Sequence, residues 1–278
     1  MANIDYRCNL AMIAFACRVI DCPAVDTLIV QFIGKELMSV SIQHLLEQFR
    51  RETAKYDRPK YRKNYQRFFK EKLAQPESIA LNYLRLISRT VYRDHKNLPV
   101  SDKLAVCEAL LADGTDYSRF FAFDWAEKSI RGCTAGEFSR FERWLKTRVD
   151  SWSTCDHLCC GALGKLVATH HELVLKTRRW AKSRNRWLRR ASAVALIVAL
   201  RDSLDIAEGF KSADLLLADE DDMVRKGSGW MLKEASRRFP DEVFAYVMKN
   251  RDKMSRTTLR YAIEKLPAGK KKAAMGNR

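Results

Sequence analysis

Three short segments hold side chains whose types and spacing suit chemistry. The first is Trp152-Ser-Thr-Cys-Asp156. A spacing of four puts its indole and its carboxylate on one side of a helix start. The second is Trp187-Leu-Arg189-Arg190, which opens an apolar helix, and the third is Val224-Arg-Lys-Gly-Ser-Gly-Trp230-Met-Leu-Lys-Glu234. The segments lie roughly 35–40 residues apart, a helical-repeat period. Equivalent positions of successive repeats share a face, so a carboxylate, an arginine and two indoles could converge there. A plainer account stands beside this one. Each tryptophan could be packing between repeats, which is also the expectation for Trp125, Trp144, Trp180 and Trp187. Asp156 could cap its helix or pair with an arginine, and charge alone does not rank Arg189 against Arg190.

Other chemistries fit less well. Cys155, His157, Cys159, Cys160, His170 and His171 invite zinc, but C-x-x-x-C-C matches no common structural zinc spacing. Buried helical thiols are the simpler reading. Gly227-Ser-Gly229 lacks the Lys-Ser/Thr ending of a phosphate loop. There is no nucleotide fingerprint and no nucleophile elbow, and His44 and His95 supply no triad.

The elements that must position these residues are helices. From Met38 on, apolar residues recur every three or four positions, as in Ile79, Tyr83, Leu84, Ile87 and Val91. The pattern predicts helices over 39–56, 76–93, 101–113, 117–131, 135–148, 153–168, 170–182, 186–200, 207–219, 222–238, 241–250 and 255–265. Thr134 with Glu137 reads as a capping box; Ser101–Asp102, Asp221–Asp222 and Ser255 read as N-caps; Pro76 and Pro240 suit first turns. The helices group in pairs of roughly 35–40 residues, the length of HEAT-type repeats. Only 11 glycines and 6 prolines occur, which disfavours an all-β sandwich. Residues 1–37 carry no share of the positive charge and read as an N-terminal extension. The repeat domain runs over 38–267, and 268–278 reads as a solvated basic tail.

The 51 Lys+Arg against 34 Asp+Glu give a net charge of +17, which points to a polyanionic partner. Two stretches concentrate it. Residues 176–190 hold eight basic side chains and no acid. Arg50–Lys72 interleaves basic residues with Tyr56, Tyr61, Tyr65, Phe68 and Phe69. Such faces neutralise phosphates without choosing sequence. No apolar run reaches the ~20 residues of a membrane span. The eight cysteines follow no disulfide framework, so a reduced, cytoplasmic setting is expected.

The three segments, with the closing Met-Ser-Arg-Thr-Thr-Leu-Arg-Tyr-Ala-Ile-Glu-Lys-Leu, resemble the AlkD-like DNA alkylation repair glycosylases over about Met38–Leu266. Two departures stand out: His157, Cys159 and Cys160 replace an apolar stretch, and the segment Tyr65–Glu77 lacks a glycine. The resemblance implies an all-α, right-handed superhelical solenoid of HEAT-like repeats with a concave basic face. It implies a glycosylase that removes cationic N3- or N7-alkylated purines from double-stranded DNA as a monomer, with no metal and no cofactor. By the match, Trp152 and Trp230 would be aromatic walls, Asp156 the catalytic carboxylate and Arg190 a phosphate ligand. Arg189, Arg186, Lys182, Arg179, Arg225 and Lys226 would add contacts to the DNA. The resemblance further implies that the lesion is engaged through its backbone on an open face. The rival readings are a repeat module that grips nucleic acid without catalysis and a scaffold for acidic proteins.

Overall fold

The computed structural model describes residues 41–73 and 78–276, and every regular element among them is a helix. The chain divides into two compact units, 1–50 and 51–278. The described part of the first unit, 41–50, is helical and buries Leu45 and Phe49. The predicted extension 1–37 and Pro76 lie outside the described residues.

The second unit is an all-α helical repeat solenoid. It begins with the end of a helix over 41–54 (α1), followed by α2 (Pro59–Gln66), α3 (Leu81–Asp94), α4 (Val100–Asp113) and α5 (Asp116–Ser129). Next come α6 (Phe138–Arg148), α7 (Trp152–Cys160), α8 (Ala162–Thr169), α9 (Val174–Arg179), α10 (Arg186–Val194) and α11 (Ile197–Asp202). The unit ends with α12 (Ile206–Leu216), α13 (Asp222–Ala235), α14 (Pro240–Asn250), α15 (Arg256–Ala262) and α16 (Ala268–Met275).

The second helices of successive repeats, α7, α10, α13 and α15, begin 34, 36 and 34 residues apart. They pack in that order, α7 on α10, α10 on α13 and α13 on α15. Each opens on a side-chain cap: Ser151, Asn185, Asp221 and Ser255 accept from backbone N–H groups of the first turn. A cap satisfies orphan amides and is worth about 1 kcal/mol, so four helix starts are fixed at equivalent places. Bonds between neighbouring repeats add to the register. Trp180 donates to Glu142 over 2.6 Å and Tyr246 to Asp214 over 2.7 Å.

Several expectations are corrected. Helix α2 falls in the aromatic basic stretch, where no helix was predicted; its weak apolar content, with no buried residue, explains the omission. The helix expected over 153–168 breaks at Gly161, and the one over 186–200 breaks at Ala195–Leu196. The segment expected over 170–182 alternates between 3₁₀ and α turns. Thr134 accepts from Gly136 N–H without the reciprocal Glu137 bond, whereas Ser151 and Thr154 form a capping box. Helix α4 starts at Val100, ahead of the Ser101–Asp102 signal. The tail is helical and mostly exposed, yet it touches the fold: α16 buries Ala274, and Arg251 donates to Ala273 O.

Candidate active site

The four capped helices bring the chemistry-bearing segments to one pocket of about 510 Å³. Its lining includes Trp152 and Asp156 from α7, Arg186, Trp187 and Arg190 from α10, Lys226 and Trp230 from α13, and Tyr261 from α15. Phe68 and Phe69, just beyond α2, complete the aromatic lining.

At the pocket lies an ion pair. Arg190 Nε and Nη2 each donate to one Asp156 carboxylate oxygen at 2.8 Å. Arg190 Nη1 donates to the Met223 carbonyl, so all three guanidinium nitrogens are committed. Arg190 is 5 % exposed and the Asp156 side chain 18 %, so the carboxylate keeps an open edge where the arginine does not. Bidentate pairing fixes the carboxylate plane as well as its charge. Burial pushes the Asp156 carboxyl above its ordinary value, opposed by the hydrogen bonds and charge of Arg190. The arginine therefore acts first as the holder of the carboxylate.

The walls are held with similar care. The Trp152 indole stacks on Phe69, with centroids 5.2 Å apart and planes at 24°. Beneath it, Tyr65 donates to Ser153 Oγ at 3.3 Å. Trp230 Nε1 donates to Glu234 Oε1 at 3.2 Å, one helical turn away. Glu234 is 4 % exposed; burial would raise its pKa, but Arg201, Trp230 and Arg237 outweigh it and hold it below the usual carboxylate range. Trp187, expected as packing, instead lines the pocket with the Arg186 guanidinium 4.9 Å from its ring. Trp125, Trp144 and Trp180 are core. From sequence, Glu234 is read only as the end of the third segment, Phe69 only as one of the aromatics of the basic stretch and Tyr261 only within the closing segment, none with a role at this pocket. A carboxylate four residues after Trp230 was the available signal for the first.

Residues 26–266 match the family model described as DNA alkylation repair enzyme. The chain belongs to the DNA alkylation repair enzyme family. Among solved structures, one titled as a predicted DNA alkylation repair enzyme from Enterococcus faecalis superposes with a TM-score of 0.67 at 16% identity, covering 77% of this chain and 98% of that one. At that identity the likeness concerns the fold. A search of curated proteins returns no match.

In this family member the basic residues serve different ends within the fold. Arg189 Nε donates to Asp219 over 2.6 Å, and its Nη1 donates to the Ser183 and Arg184 carbonyls. Arg225 Nε donates to the Asp219 carbonyl over 2.6 Å. Both hold the turn before α13, and neither lines the pocket. Arg186 bridges Glu71 at 2.7 Å and Asp221 at 3.0 Å, and Lys226 pairs with Asp222 at 2.8 Å. Arg179 and Lys182 are exposed and outside the pocket lining. A smaller hollow beside the pocket adds Arg256 and Arg260, which were not anticipated.

The thiols do not reach the site chemistry. Cys155 and Cys159 are buried, Cys155 donates to the Trp187 carbonyl, and burial keeps the Cys159 thiol protonated. Elsewhere, Asp124, Glu127 and His157 bring ligand-type atoms within 4.8 Å of one another. Lys128 already neutralises Asp124 and Lys165 Glu127, so this cluster is a set of ion pairs around a neutral histidine. No helix among the described residues is long and apolar enough to cross a membrane.

Proposed function

We propose that this DNA alkylation repair enzyme is a glycosylase that hydrolyses the N-glycosidic bond of cationic N3- or N7-alkylated purines in duplex DNA. The observation that carries the reading is Asp156: a carboxylate fixed bidentately by Arg190, with one edge open to a pocket walled by Trp152 and Trp230. An alkylated purine already bears positive charge and leaves readily. The remaining demand is to stabilise an oxocarbenium-like sugar and to place a water behind it, as in other glycosyl hydrolysis. Asp156 meets both demands. A carboxylate ~4 Å from a unit positive charge gains ~4 kcal/mol at an effective dielectric of ~20, nearly three decades in rate. The indole faces add ~0.5–2 kcal/mol each toward a cation. Arg190 turns the carboxylate toward the sugar, and Lys226 with Arg186 at the rim meets the flanking phosphates. No metal or cofactor takes part, and the enzyme acts as a monomer.

The deciding experiment measures release of free 7-methylguanine and 3-methyladenine from methylated duplex by wild type and Asp156→Asn. Asparagine keeps an oxygen for Arg190 but removes the charge. The expected result is release by wild type alone, with duplex binding retained by both. Release by the variant at the wild-type rate overturns the mechanism. Tight, salt-sensitive binding without release by either protein supports instead a module that grips DNA without cutting it.

A further inference from the structure

The two tryptophan walls are held in different ways. Trp152 is held by its face, stacked on Phe69. Trp230 is held by its edge: Nε1 donates to Glu234 Oε1 at 3.2 Å, one turn further along α13. The N–H is the only donor an indole has, so this bond sets how the ring turns about its stem. Glu234 is buried and divides its two oxygens. Oε2 accepts from Arg201 of α11 at 2.8 Å and from Arg237, just past α13, at 2.8 Å. Oε1 goes to the indole. Pairing with arginine does not require that division, for Arg190 takes both oxygens of Asp156. In the core, Trp180 donates to Glu142 in the same manner at 2.6 Å. What sets Trp230 apart is that its ring lines the pocket. The charge behind its edge therefore reaches whatever its face meets.

A hydrogen bond to a full anion is charge-assisted and polarises its donor. Charge pushed into the indole makes its face more negative, and that face attracts cations through the ring quadrupole. Hydrolysis of a glycosidic bond builds positive charge on the sugar. We propose that Glu234 is a positioning residue of the reaction: its carboxylate turns the Trp230 indole by the N–H and enriches the ring that faces the developing sugar cation. This rests on the glycosylase reading and adds to it a second anion, one that acts through an aromatic ring and not by contact. Burial opposes the charge, but Arg201, Trp230 and Arg237 hold the Glu234 carboxyl below the usual range, which keeps it ionised near neutral pH.

The test is a double-mutant cycle on a duplex bearing one 7-methylguanine. It reads single-turnover release at saturating enzyme, beside duplex affinity by anisotropy. Glutamine at 234 keeps an acceptor for the indole but removes the charge. Glu234→Gln should slow release about threefold to tenfold and change affinity less than about twofold. Trp230→Phe has no N–H to give, so adding Glu234→Gln to it should slow release less than about twofold further. A merely structural glutamate costs the same in both backgrounds. Equal losses overturn the proposal, as does a wild-type rate for Glu234→Gln. Glu142→Gln, behind the core Trp180, should release base at the wild-type rate; a loss there matching that of Glu234→Gln would show a general cost of removing such a carboxylate and overturn it too. Should Glu234→Gln not fold, Glu234→Asp takes its place in the cycle, keeping charge for both arginines while drawing the oxygen back from the indole. The indole N–H gives a readout independent of cleavage. In 15N spectra the Trp230 N–H, identified by its loss in Trp230→Phe, should move upfield in Glu234→Gln. If wild type releases no base, the glycosylase reading falls, and this signal still decides whether Glu234 sets the ring: a moved N–H supports it, and an unmoved one overturns it.

Discussion

Asp156 is caught between burial, which raises its pKa, and Arg190, which lowers it. The reaction requires the carboxylate, so base release should fall as pH drops through a value above the ordinary ~3.9 of aspartate. Replacing Arg190 with lysine keeps a charge but loses the bidentate bonds, which leaves burial less opposed. The acid limb of the rate profile should then move to higher pH and kcat should fall. An unmoved limb would show that the arginine does not govern the carboxylate. His157 obeys the opposite sign. Burial first, then Lys128 and Arg85, lower its pKa from 6.5 to about 4. Below pH 6.5 the unfolded chain binds a proton that the folded one refuses. Stability is therefore lost as pH falls from about 6.5 toward 4, about 2 kcal/mol by pH 5. His157→Gln should flatten that loss in melts at pH 7 and pH 5. At this scale Trp152, Asp156, Arg190 and Trp230 were legible as a converging set because their spacing matches the repeat. Trp187 was not, since an indole one residue after Arg186 reads equally well as packing.

At the scale of elements, the repeat is written in its caps more than in its apolar pattern. Ser151, Asn185, Asp221 and Ser255 differ in type but share one task, so no strict repeat is visible in the letters. Broken helices escaped the apolar period for a related reason: α7–α8 and α10–α11 keep their buried side chains in phase across the break. Gly227-Ser-Gly229 shows what the glycines do. A Cβ at Gly227 would lie 2.9 Å from Arg190 Cγ, and one at Gly229 would lie 2.8 Å from the Thr258 carbonyl oxygen and 2.6 Å from Tyr261 Cβ. These are the contacts that let α13 approach α10 on one side and α15 on the other. Backbone cannot yield as a side-chain tip can. Gly229→Ala should therefore cost roughly 1–3 kcal/mol, lowering Tm by roughly 2–4 °C per kcal/mol. Gly269 has nothing within 4 Å of its Cβ position on α16, so Gly269→Ala should leave Tm unchanged or raise it. Equal losses at both positions would remove the close-approach argument.

At the scale of the molecule, each repeat leans on its neighbours through bonds such as Arg178–Glu208, Arg189–Asp219 and Arg201–Glu234. Helix pairing and excess charge were legible from sequence; how the charge is spent was not, because the acids that consume it lie one repeat away. The net +17 therefore overstates the hold on DNA. Arg189 and Arg190 have their donors committed within the fold and Arg225 gives its Nε to the Asp219 carbonyl, whereas Arg179 and Lys182 are exposed. Each phosphate neutralised contributes about 0.9 to the slope of log affinity against log salt. Arg179→Ala and Lys182→Ala should each flatten that slope by about 0.9, and Arg189→Gln should leave it unchanged while lowering Tm through the loss of its Asp219 bonds. Anisotropy titrations of an undamaged duplex across a salt series read this directly. A flattened slope for Arg189→Gln would mean that the guanidinium leaves Asp219 to reach phosphate, making the turn before α13 part of the DNA interface.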